Sequence, residues 1–168
     1  MTRLVSDAFQ DHYADDVAHC YGCGRQNPRG HHIRTLWEGE ETVTRFTPEP
    51  YHTAIPGYVY GGLIASLIDC HGTGTAAAAA ARTRGPDPGG GDRPGELPRF
   101  VTASLHVEYL RPTPLGPQLE IRGRATEVTE RKVVVEARVL ANDQVTARGV
   151  VVAVRMPEAM TAPELTAR

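Results

Sequence analysis

Pro56-Gly-Tyr-Val-Tyr-Gly-Gly-Leu-Ile-Ala-Ser-Leu-Ile-Asp-Cys-His-Gly-Thr-Gly-Thr-Ala-Ala-Ala-Ala-Ala-Ala-Arg82 is the stretch on which the fold turns. From residue 61 to 82 it predicts one long helix. Leu63, Leu67 and Cys70 share a face, with Ile64 and Ile68 beside it. Past Gly74 come seven small residues, Thr75 to Ala81. Alanine favours helix intrinsically, and its short side chain lets other backbone pack close. Asp69 stands seven residues after Gly62. That interval returns to nearly the same helical face, about 10 Å further along the axis. Ala65 and Gly72 flank Asp69 on this stripe.

Outward from the helix, the chain reads as strands. Residues 31 to 37 and 41 to 47 predict a hairpin with Glu38-Gly-Glu-Glu41 as its turn. Val101, Ala103, Leu105, Val107 and Tyr109 alternate with Thr102, Ser104, His106 and Glu108. Leu119, Ile121 and Ala125 sit in one phase. The Val-rich runs 132 to 140 and 145 to 155 flank the turn Ala141-Asn-Asp-Gln144. Residues 1 to 19 predict a short amphipathic helix or packed arm carrying Val5, Phe9 and Tyr13. Residues 83 to 98, rich in Gly and Pro, predict a flexible loop, and 157 to 168 a frayed tail. The single domain therefore spans 20 to 156. Strands segregated around one helix give an α+β architecture, an antiparallel β-sheet wrapped around one long central helix. A lone helix covers one face of such a sheet, so a second copy of the chain is expected to cover the other face or an edge strand.

Composition narrows the function classes. The 168 residues include 18 basic and 20 acidic side chains, for a formal charge of −2, and aromatics make up 6%. Neither a basic footprint nor a stacking platform for nucleic acid is present. The longest weakly apolar stretch, Ala76 to Ala81, is too short to span a bilayer. Met1-Thr-Arg-Leu-Val-Ser-Asp7 lacks the apolar run of a signal peptide. These features predict a cytoplasmic protein without nucleic-acid or membrane partners. Three cysteines, an odd number, argue against a disulfide framework.

Three segments carry a family likeness. They are Cys20-Tyr-Gly-Cys-Gly-Arg-Gln-Asn-Pro-Arg-Gly30, Pro56 to Asp69, and Val101-Thr-Ala-Ser-Leu-His-Val-Glu-Tyr-Leu-Arg-Pro-Thr-Pro-Leu-Gly116. In their order and spacing the chain resembles the hotdog-fold acyl-CoA thioesterases, most closely the phenylacetate-pathway type. The resemblance implies a homodimer whose sheets join edge to edge, with dimers able to pair into a homotetramer and active sites at the subunit interface. It implies hydrolysis of an acyl-CoA or acyl-carrier thioester, coenzyme A entering as part of the substrate and no separate cofactor. Asp69 would be general base or nucleophile, the Gly61 N–H would serve the oxyanion hole, and Thr102 would help position the attacking water. The family's His falls at Tyr60, whose phenol can donate a hydrogen bond but cannot work as an imidazole does near neutral pH. Gly62, His52, Ala65 and Ser104 would line the substrate groove.

The residues support the same chemistry on their own terms. A helix start offers unpaired N–H groups and about half a positive charge, and glycines at 61 and 62 let a carbonyl approach the backbone. Read singly, Gly61-Gly62 is a tight turn, Asp69 a solvated helix edge, and Tyr60 a packed aromatic. Cys20 and Cys23, with His19, His31 and His32 nearby, fall short of a four-ligand zinc set, so no metal is expected and Cys70 is expected in the core. His71 and His106 are candidates for the pocket mouth. Arg82, Arg84, Arg93 and Arg99 bracket the flexible loop as solvated charges or phosphate partners. The rival readings are a binding module that holds an acyl thioester without cleaving it, motivated by Tyr60, and a lyase or hydratase, which lacks the expected base.

Overall fold

A computed structural model describes residues 7–84 and 96–160. Its strands are β1 (Thr35–Glu38), β2 (Glu41–Phe46), β3 (Phe100–Tyr109), β4 (Leu119–Val128), β5 (Lys132–Ala141) and β6 (Gln144–Arg155), around one helix, α1 (Gly61–Arg82). All pair antiparallel in one sheet of order β1-β2-β4-β5-β6-β3, which leaves β1 and β3 as edges. The expected wrapped-sheet architecture is observed, with α1 touching all six strands. Asn142 and Asp143 both have positive φ at the β5–β6 turn, the backbone that a two-residue hairpin with native twist requires.

Three expectations shift. The first strand starts at Thr35, because the amides of His31 and Ile33 donate to Tyr21 O and Gly22 O and so belong to the preceding turn. The N-terminal segment forms two short 3-10 turns, Phe9–His12 and Asp15–Val17, and Phe9 and Tyr13 are buried as their spacing suggested. Val5, most of the 83–98 loop including Arg93, and residues 161–168 lie outside the described residues, while Glu158–Met160 is a 3-10 turn.

The helix is nearly encased. Leu63, Ile64, Leu67 and Ile68 are buried, as is every residue from Cys70 to Ala81. Each large apolar side chain so covered contributes about 1.5–3 kcal/mol. Close approach depends on missing Cβ atoms. A Cβ on Gly72 would sit 2.5 Å from Val151 Cγ2, and one on Gly149 would sit 2.5 Å from Ile68 Cγ2.

A buried polar chain threads the same space. Thr42 Oγ1 donates to Gly123 O (3.1 Å), so toward His71 Nε2 (3.1 Å) it accepts, which places the ring proton on Nε2. His71 Nδ1 then accepts from Thr44 Oγ1 (2.9 Å), Thr44 accepts from Thr35 Oγ1 (2.9 Å), and Thr35 accepts from Gln10 Nε2 (3.1 Å). Each hydroxyl has one proton to give, so the direction is set along the whole chain. Burial holds His71 neutral, its pKa pushed down to about 3. His71 is thus a core residue and does not reach a pocket mouth.

Ion pairs line part of the outer sheet face. Glu41 accepts two bonds from Arg138 (2.8 and 3.0 Å) and one from Arg124 (3.1 Å). These bonds, Arg138's foremost, outweigh burial and hold the Glu41 carboxyl down at about 2.

Two outcomes follow from this packing. Gly72→Ala should destabilise the fold by about 1–3 kcal/mol, read as a lower denaturation midpoint, because Val151 sits on the β6 backbone and cannot swing far. Glu41 is ionised in the folded protein at acidities that protonate it in the unfolded chain. Its stabilisation is therefore complete above about pH 4.5 and lost as pH falls toward 2. Glu41→Gln should cost about 1 kcal/mol at neutral pH after allowance for solvent screening. Its melting temperature should also fall less than wild type's on acidification through this window.

Candidate active site

The start of α1 is held by the loop before it. Tyr60 N donates to His52 O, Val59 N to Thr113 O and Leu115 N to Gly57 O, each at 2.9 Å. Leu63 N and Ile64 N donate back to Tyr60 O (3.1 and 3.4 Å). The amides of Gly61 and Gly62 donate to no acceptor among the described residues, as geometry demands of a first helical turn. Two exposed tyrosines bracket them. Tyr109 Oη donates to Gly61 O at 2.7 Å. The Tyr60 ring lies over Gly62, where a Cβ would meet it at 2.4 Å. Burial and the neighbouring Tyr60 raise the Tyr109 phenol above its usual range.

Asp69 lies two turns further on, half-buried, and its carboxylate accepts a hydrogen bond from Thr102 Oγ1. Burial raises the Asp69 carboxyl above its ordinary value, against the lowering effect of the Thr102 bond. A β-bulge brings Thr102 there. The β3–β6 register shifts between Thr102 and Ser104, so Thr102 pairs with the buried Ala153 while Leu105 pairs with the buried Val151. Strict alternation had put Thr102 and Tyr109 on opposite faces. The extra residue, Ala103, reverses the phase and puts both on the helix side, a known use of bulges beside functional sites.

The same register decides Ser104. It pairs with Val152 on the outer face, in phase with His106 and Glu108, which line an outer cavity of about 340 Å³ together with Arg124, Arg138 and Arg148. Ser104 and His106 therefore do not join Asp69. His52 accepts from Glu49 N at its Nδ1 (2.9 Å) and packs against Tyr51, His31 and Phe46, so it shapes the loop that seats Tyr60. Ala65 is half-buried between Gly62 and Asp69 on the stripe, whereas Gly72 faces Val151 in the core. Arg82 stacks on Trp37, 3.4 Å from the ring centroid, and Arg99 is tucked over Tyr13.

Sequence spacing missed one association. Cys70 is buried as expected, but its sulfur lies 3.9 Å from that of Cys20, and Cys20, Cys23 and Cys70 form one group beside Asp69. Fifty residues separate Cys20 from Cys70, so no local motif could link them. The histidines near Cys20 in sequence are not members of this group. S–H donation from Cys23 and then Cys70 holds the Cys20 thiol far below its usual range. The bond to Cys20 pushes Cys23 up to about 11, and Cys70 is raised as well, by its bonds to Cys20 and Cys23 together with burial.

An antiparallel sheet wrapped on one long central helix defines a hotdog-fold protein. Residues 56–148 match the model of the thioesterase superfamily, more than half of the chain, and the chain belongs to that superfamily. A thioesterase superfamily protein from Shewanella loihica PV-4 has a crystal structure similar to this one. It is 49% identical with a TM-score of 0.64, over 86% of this chain and 100% of that one. The phenylacetic acid degradation protein PaaI of Thermus thermophilus, solved as a point mutant, shares the fold. It is 22% identical with a TM-score of 0.53, over 74% of this chain and 93% of that one. Acyl-coenzyme A thioesterase THEM4 of Xenopus laevis is 32% identical over 101 residues, 60% of this chain. The match spans 38% of that protein's length. No helix among the described residues is long and apolar enough to cross a membrane.

Proposed function

We propose that this protein hydrolyses acyl-coenzyme A thioesters to the free acid and thiol, with Asp69 as the catalytic base. The observation that carries the reading is the Thr102–Asp69 hydrogen bond beside the exposed edge strand β3. One carboxylate oxygen is held by Thr102, and the other can take the proton of a water attacking the thioester carbonyl. The free amides of Gly61 and Gly62 supply donors for the oxyanion, each worth about 3 kcal/mol. The name of the Xenopus laevis relative supports coenzyme A as the carrier.

Helix geometry constrains how these parts combine. Gly61 and Asp69 of one chain stand about 12 Å apart along the axis. A base within reach of the attacking water and donors about 3 Å from the same oxyanion cannot be that far apart. Two copies resolve the conflict. β3 is a ten-residue edge strand with most side chains exposed, and Leu105, Tyr109 and Leu110 are among the exposed large apolar residues. Such an edge invites pairing with its like. A homodimer joined along β3 would bring the helix start of one copy toward Asp69 of the other and make two equivalent sites. Dimers could pair further into a tetramer.

The competing reading is a binding protein without turnover. It is favoured by one feature, the Tyr60 phenol standing over Gly62 where the family's imidazole is expected. A free-thiol assay over short, long and aromatic acyl-CoAs separates the two. Turnover is expected in wild type, with a loss of about 10²–10⁴-fold in Asp69→Asn at unchanged melting temperature. Equal rates would remove Asp69 from the chemistry. Ligand-induced stabilisation with intact thioester after long incubation would establish the binding reading. Leu105→Asp should yield monomers by light scattering and lose hydrolysis in step, whereas a fully active monomer would overturn the two-copy site.

A further inference from the structure

Outside the proposed catalytic pair, the strongest concentration of unused chemistry is the thiol group that joins the N-terminal turn to the helix. The sulfurs of Cys20, Cys23 and Cys70 lie within 4.8 Å of one another, with Cys20 and Cys70 at 3.9 Å. Zinc–sulfur bonds of about 2.3 Å in a tetrahedral site put neighbouring sulfurs roughly 3.8 Å apart, so the trio needs little movement to share one ion. All three thiols are free of disulfides.

The turn is built to bring them together. Gly24 N donates to Cys20 O (2.7 Å) and Ile33 N to Gly22 O (2.9 Å). A Cβ on Gly22 would sit 2.3 Å from the Cys70 sulfur, so the glycine lets the turn press directly on that thiol. Cys-x-x-Cys is the spacing by which two sulfurs of one turn reach a common ion.

Two buried polar groups nearby lack partners. The Tyr13 hydroxyl and Arg99 Nη1 are buried with no hydrogen-bond partner among the described residues, although a buried donor left unpaired costs about 1–3 kcal/mol. The Arg99 guanidinium sits 4.5 Å from the Tyr13 ring centroid and within electrostatic reach of all three sulfurs.

From this geometry we infer that Cys20, Cys23 and Cys70 form a structural zinc site, tying the N-terminal segment to α1 beside Asp69. Three thiolates around Zn²⁺ carry one net negative charge, which Arg99 balances. A water would complete the fourth position. All three sulfurs bind as thiolates, and the protons that Cys23 and Cys70 still carry pass to solvent on binding. The site clamps residues 13–33 onto the helix as a disulfide would, while keeping the thiols reduced.

The test uses the full chain, purified without a histidine tag or chelator and kept in a non-thiol reductant. Zinc is counted by elemental analysis. Added Zn²⁺ is then titrated into chelator-stripped protein against a chromophoric competitor, with melting temperature followed in parallel. About one zinc per chain is expected, and its removal should lower the melting temperature. Cys23→Ser should weaken zinc binding by about tenfold or more and abolish the thermal shift. Cys20→Ser, at a half-buried position that tolerates the change if Cys23→Ser misfolds, should do the same, and His19→Ala should leave affinity unchanged. Zinc below about one-tenth per chain with no thermal response to added Zn²⁺ would overturn the site. So would zinc retained by the Cys20→Ser/Cys23→Ser double variant, or thiol titration finding one thiol in place of three. Metal content is read without turnover, so either result leaves the hydrolysis reading standing on its own test.

Discussion

A helix encased by a sheet can reach packing density only if its contact surface is thin. In this protein that constraint governs nearly everything else. Gly72 and Gly74 on α1, and Gly123 and Gly149 on the strands facing it, each sit where a Cβ would collide with a neighbour: Val151, Gln10, His71 and Ile68 respectively. The alanine run from Ala76 to Ala81 continues the thin surface to the helix end, and all six are buried. Interiors packed like organic crystals transmit small displacements. The position of Asp69 is therefore set by contacts on both sides of it, Ile68 against Gly149 and Gly72 against Val151.

The polar groups inside this shell follow the same economy of space. Gln10, Thr35, Thr44, His71 and Thr42 pass hydrogen bonds in one direction to the Gly123 carbonyl. Every donor in that chain has an acceptor, so the buried histidine costs little and stays neutral. The network crosses from the N-terminal segment through β1 and β2 to α1 and β4. It thereby orders parts of the chain far apart in sequence and fixes the rotation of α1 that points Asp69 toward β3.

The proposed function draws on the region where this order stops. The helix start carries two amides that meet no acceptor among the described residues, and β3 is an edge strand with exposed apolar side chains. The half-buried acid, two turns along the helix, is linked to β3 through Thr102. The region is under-satisfied in each of the ways that a substrate or a second copy of the chain would satisfy. The thiol group includes Cys70, the residue after the same acid, and Cys20 of the N-terminal turn lies within electrostatic reach of it.

Much of this was legible from residue order. The 61–82 helix, the hairpin turn at 38–41, the Asn142-Asp143 turn and the phase of Leu119, Ile121 and Ala125 follow from local periodicity and turn chemistry, which the backbone of a few neighbouring residues decides. The stripe joining Gly62, Ala65 and Asp69 was legible for the same reason. Tertiary structure alone decided the rest. A single bulged residue, Ala103, reversed the facing of the start of β3 and brought Thr102 to Asp69, while Ser104 kept the outer face it shares with His106 and Glu108. His71 read as a pocket candidate because its partners, Thr42 and Thr44, lie on another element. Cys70 joined Cys20 and Cys23 only because the chain folds back over some fifty residues. Periodicity reports how a segment sorts its side chains between two environments. Which distant side chain waits in each environment depends on register and chain crossing, and no window of sequence contains that information.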